Sequence, residues 1–87
     1  MTQAELRERA PEGVPLTAYD REIAPIYLRL LDADAAGADW REVSKIVLGV
    51  DAATEPKRAE VMHASHLARA RWLRDGGYRE FLGSTSS

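Results

Sequence analysis

Between Leu31 and Gly49 the chain reads LDADAAGADWREVSKIVLG, and its two glycines constrain the fold more than any other feature. Each follows a run of helical apolar period, where a helix wants a residue that can turn left-handed. One helix therefore closes at Gly37, and a short second one, Trp40–Leu48, is confined between Asp39 and Gly49. Asp39 and Glu42 have the spacing of a capping box at its start. A longer helix is expected from about Pro56, which suits a first helical position, to Asp75, where Gly76-Gly77 stops it. Short helix, connection and long helix form the outline of a helix-turn-helix unit. The connection VDAATEP, residues 50–56, exceeds the three or four residues of an ordinary turn of that kind.

Upstream, Thr17 can cap a first main helix, Ala18–Ala36, with Asp20 in its first turn. Tyr19, Ile23, Ile26, Tyr27, Leu30 and Leu31 keep a helical period and give it a wide apolar face. Pro25 lies inside that pattern on the polar side, so the helix should kink or restart there. On the third helix Val61, Ala64, Ala68 and Trp72 line up as the expected inward face. Ile23, Leu30, Val43, Ile46, Leu67, Ala68 and Trp72 make the expected core, and Tyr78–Leu82 a last covering turn. With no strand pattern and no repeat, the expected class is all-α: a small bundle of four or five helices, a helix-turn-helix variant with an extended turn. Residues 1–15 read as a flexible N-terminal arm, 16–83 as the domain and 84–87 as a disordered tail.

The 87 residues suit one domain of marginal stability, on the order of 5 kcal/mol. There is no cysteine, which excludes disulfides and thiolate metal sites. No apolar run approaches the roughly 18 residues of a membrane span, and the polar start MTQAELRERAPEG lacks a signal core. A cytoplasmic monomer is expected. The net charge of -2 is unevenly spread: residues 1–56 hold 11 acidic and 6 basic side chains, residues 57–87 hold 3 and 6. A basic third helix thus meets an acidic remainder, which would repel phosphates from any face the two share.

Enzyme and cofactor chemistry find no constellation. Ser44 and Ser65 lack an acid–base relay, and there is no glycine-rich phosphate loop. His63 and His66 stand three apart on a helix, but without a nearby carboxylate or thiolate they make a poor metal site. Asp32, Asp34 and Asp39 do not fit the calcium-loop spacing and read as capping and solvated groups. Arg58, Arg69, Arg71 and Arg74 could contact phosphates or guanines, but they spread around the third helix. Trp40, Trp72 and Tyr78 read as core residues before interface anchors.

Taken together, LRLLDADAAGADWREVSKIVLG, SHLARARWL and GGYREFL resemble a proteobacterial domain of unknown function now described as an extended-turn helix-turn-helix variant. The resemblance spans roughly residues 16–83. Members are carried on integrative and conjugative elements. Some are transcriptional activators in which this domain binds DNA behind another domain; others are stand-alone antiactivators that bind and block an activator. A single acidic domain resembles the second, QseM-type branch. The resemblance then implies a regulator of conjugative transfer whose partners are a transcriptional activator of the same element and a LuxR-type quorum-sensing regulator, with DNA not expected to be one. It places the partner face on His66, Arg69, Tyr78 and Arg79, with Tyr27. The alternative is a small DNA-binding helix-turn-helix transcriptional regulator, in which Lys57 and Arg58 make the DNA contacts.

Overall fold

The structure, a computed structural model, describes residues 6–13 and 16–77. Among them it is helical, with no strand. The expected covering turn at Tyr78–Leu82 and the tail lie outside the described residues.

Thr17 starts the first helix, α1 (Ala18–Glu22), with a reciprocal cap. Its hydroxyl accepts from the Asp20 N–H, and the Asp20 carboxylate accepts from the Thr17 N–H at 2.9 Å. Pro25 decides what happens next. It has no N–H to offer the carbonyl four residues back, so α1 ends and Ile23 leaves helical geometry (φ -103°, ψ 18°). A new helix, α2 (Ala24–Ala35), begins with the proline in its first turn, where the missing donor costs nothing. The single interrupted helix expected from the sequence is thus two helices, restarted rather than kinked.

Gly37 ends α2 in the left-handed region (φ 76°). Its N–H bonds the Asp34 carbonyl, and the Ala38 N–H bonds the Ala33 carbonyl, the paired closure that satisfies two orphan carbonyls. The capping box expected at Asp39 does not form: Asp39 is the N-cap of α3 (Trp40–Val43), but its side chain makes no cap bond and lies 3.7 Å from Arg41. From Val43 the chain runs into a π-helical turn, Ser44–Leu48, which closes on a left-handed Gly49. A π turn holds more residues than an α turn, and this one rotates the side chains that follow. Ile46, expected in the core, is 70% exposed, and Leu48 is buried.

Helix α4 (Pro56–Trp72) opens on its proline and passes into a wider turn, Leu73–Gly77. Its inward face is not the expected one. Ala59, Met62, His66 and Ala70 are buried, while Ala64 and Ala68 are exposed and Trp72 is half-buried. An offset of two residues at about 100° each puts the real face nearly opposite the expected one. Alanines had made both faces readable as apolar, and the packing of α2 and the N-terminal segment selected between them.

The core forms two joined parts. Leu30, Val43, Leu48, Val50, Met62 and Leu67 pack between α2, α3 and α4. Tyr19, Ile23, Tyr27 and Ala70 pack where α1 and α2 cross the later half of α4, and Leu6, Ile26 and Leu31 touch both parts.

Candidate nucleic-acid interface

The seven residues between the π turn and α4 are folded onto the body. Val50 and Ala52 turn inward as part of the core. Asp51 organises the rest: its carboxylate accepts from the Ala53 N–H at 2.9 Å, and its carbonyl accepts from the N–H groups of Thr54 and Glu55. The negative charge of Asp51 therefore serves its own turn. Lys45 and Ile46 precede this connection, and Lys57 and Arg58 follow it; all four are exposed.

From there α4 shows solvent a single stripe: Lys57, Glu60, Ala64, Ala68 and Arg71. Lys57 makes no ion pair among the described residues. Arg58 makes two, its Nε donating to Glu8 and its Nη1 to Glu55, each at 3.0 Å. Arg71 donates to Asp34 at 2.9 Å. Around the connection, residues 41–60 carry four cations and four carboxylates, so the region is balanced rather than acidic.

The residues expected to form a partner face are placed differently. Tyr27, His66 and Arg69 are buried, the first two almost completely. They belong to a polar network centred on Asp20, which sequence reasoning treated only as a first-turn acid. Arg69 clamps the Asp20 carboxylate with two bonds, Nε to Oδ1 at 3.1 Å and Nη2 to Oδ2 at 2.7 Å, and donates a third through Nη1 to the Gly13 carbonyl. The Tyr27 hydroxyl donates to the same carboxylate at 2.7 Å. His66 Nδ1 meets the Met62 carbonyl at 2.7 Å, so that nitrogen carries the proton, and Nε2 accepts from the Tyr19 hydroxyl at 2.6 Å. That hydroxyl accepts in turn from the Arg7 N–H. Buried and held by these three bonds, Arg69 is not presented to an external partner. Tyr78 and Arg79 lie outside the described residues.

This environment tunes the groups within it. Burial would raise the Asp20 carboxyl, but the bonds from Arg69, Thr17 and Tyr27 outweigh it and hold its pKa at about 2. Burial, helped by the neighbouring Asp20 charge, pushes the Tyr27 phenol well up. Burial lowers His66, with the Met62 carbonyl opposing, and also lowers His63, whose ring lies 5.9 Å from that of Trp40. With both nitrogens bonded, His66 offers no ligand to a metal, and no cluster of three or more metal-binding side chains occurs among the described residues. The sequence did hold a signal for the network. Asp20 stands seven residues before Tyr27, on the face shared by Tyr19, Ile23 and Tyr27, and a carboxylate on an apolar face asks for a cation opposite it.

An apolar groove of about 270 Å³ lies between α2 and the end of α4, lined in part by Ala24, Leu28, Leu31 and Leu73. None of the helices among the described residues is long and apolar enough to cross a membrane.

A family model, RovC_DNA-bd, described as a T6SS transcription factor DNA-binding domain, matches residues 2–82. No curated protein matches the chain. The match corrects the expectation that DNA is not a partner, because the family is one of DNA-binding domains. It carries neither the antiactivator role nor the conjugative element, activator and quorum-sensing regulator that the resemblance had implied.

Proposed function

The chain belongs to the RovC_DNA-bd family, and we propose from that membership that it is a non-enzymatic, DNA-binding transcriptional regulator which reads duplex DNA with the exposed stripe of α4. The family match across residues 2–82 carries this reading. The geometry supports it. The connection and the first turn of α4 put Lys57 and Arg58 at one end of the stripe, where they can hold backbone phosphates. The stripe's middle is Ala64 and Ala68. Small side chains there let the helix sit deep in a major groove, a use opposite to the inward packing the sequence suggested. Lys45, on the π turn across the connection, supplies a further cation.

The acidic total, which had favoured a protein-directed antiactivator, does not describe this surface. Residues 41–60, around the connection, carry four cations and four carboxylates, so the acidic excess lies elsewhere in the chain.

Selection from a randomised pool of duplex DNA tests the proposal. A discrete enriched sequence, bound more weakly by Lys57→Gln at every site and with a shallower salt dependence, is the expected result. A pool that emerges unenriched, from a folded protein that retards no duplex at low salt, overturns it.

A further inference from the structure

Arg58 stands at the start of the proposed DNA face, yet its guanidinium is already engaged on two sides by carboxylates, Glu8 and Glu55. Glu55 is three residues before it, at the N-cap of α4. Glu8 is fifty residues away and comes from the N-terminal segment. A carboxylate on an arginine offers the same acceptor chemistry as a phosphate oxygen. We propose that Glu8 is a built-in competitor of the DNA backbone at Arg58, so that the N-terminal segment sets the affinity of the α4 face. The inference rests on the DNA-binding reading given above.

Three observations carry it. First, Glu8 is delivered rather than loose. On one side the Arg7 N–H bonds the Tyr19 hydroxyl at 2.8 Å, and the Arg7 guanidinium lies 4.5 Å from that ring's centre. On the other, the buried Ala10 bonds Ser65 Oγ through its N–H at 3.0 Å, and the Gly13 carbonyl holds Arg69. Arg58, Ser65 and Arg69 fall on one side of α4, so residues 8–13 run along the helix with Glu8 over its first turns. Tethering of this kind gives the carboxylate a high effective concentration at Arg58. Second, the pair is displaceable. The Glu8 side chain is 70% exposed and that of Arg58 41%, and exposed ion pairs are weak enough for a phosphate to replace. Third, the pair is poorly placed to be a structural staple. The segment is already fastened on both sides of Glu8 by bonds to Tyr19 and Ser65, so a solvent-exposed ion pair adds little to its anchoring.

Glu8→Gln removes the competing charge and keeps the side chain's size. Binding to a mixed-sequence DNA duplex, followed by fluorescence anisotropy through a salt titration, should tighten roughly two- to fivefold, the range an exposed ion pair allows. The slope of log K against log salt should steepen by about 0.9, one extra phosphate contact. Glu12→Gln, an exposed acid of the same segment with no ion pair among the described residues, should change binding less. In an Arg58→Gln background the Glu8 substitution should have no effect, and melting curves should show every variant folded. A Glu8→Gln variant that binds like or more weakly than the parent overturns the inference, as does a gain that persists without Arg58. If the parent itself binds no duplex at any salt, the DNA reading fails, and this inference with it.

Discussion

Asp20 carries a charge into the interior of a domain with little stability to spare. Its side chain and that of Arg69 are almost wholly shielded from solvent. Removing the carboxylate charge takes from the buried guanidinium the carboxylate that clamps it, which costs about 3–5 kcal/mol, comparable with the roughly 5 kcal/mol available to a chain this small. Asp20→Asn should therefore unfold the protein or bring its urea midpoint close to zero; a midpoint near that of the parent would show that Arg69 is served by other groups. The same residue fixes the acid limit. Its folded pKa of about 2 lies below the ordinary 3.8, so the unfolded chain takes up the proton first. The stability it provides is complete above pH 3.8 and is lost as pH falls toward 2. His66 works in a milder range. Its folded pKa is depressed below 6.5, so its neutral form supports the fold above that pH and stability declines as pH drops below it. Melting temperatures measured between neutral and mildly acid pH should fall, and less steeply in His66→Gln; equal slopes would place the effect on another group, His63 first.

Most helix ends, and the apolar face shared by α1 and α2, were legible in the sequence; the faces of the later helices were not. Thr17, Pro25, Gly37, Gly49 and Pro56 act within a few residues of themselves, through a cap, a missing donor or a left-handed backbone, and the structure uses each of them. A face is decided by what packs against it. Ile46, three residues after Val43, read as inward; in the π turn it points outward and Leu48 takes the inward place. Ala64 and Ala68 gave no preference between inside and outside. His66 and Arg69 looked like surface chemistry because their partners, Tyr19 and Asp20, lie nearly fifty residues upstream. Lys57 and Arg58, the sequence's alternative DNA contacts, are exposed beside the connection. Two substitutions separate these cases. Gly49→Ala forces a side chain into a left-handed position (φ 77°) and should lower stability by about 1–2 kcal/mol in chemical denaturation. Ile46→Lys, at a 70% exposed site, should leave the melting curve where it is. A large loss there would mean that the turn is α-helical in solution, with Ile46 packed inside.

At the scale of the whole molecule, net charge proved a poor guide to partners because it sums over the chain and says nothing of where each charge lies. The surface proposed to meet the phosphate backbone is local, and its cations are Lys45, Lys57 and Arg58, exposed around the connection. With Arg58 held by Glu8, the other two cations imply a slope of log K against log salt of about -2 in the parent, shallow for a DNA-binding domain. A slope near zero for the selected duplex would remove the phosphate contacts from this surface, and one several times steeper would bring in cations beyond these three. The bonds from Arg7, Ala10 and Gly13 to Tyr19, Ser65 and Arg69 also have a mechanical side. Residues 6–13 are a handle welded along α4. A pull on Leu6 from a purification tag, a linker or a second domain is borne first by Tyr19 on α1 and next by Ser65 and Arg69 on α4, so it strains the joint between the first helix and the one proposed to read DNA.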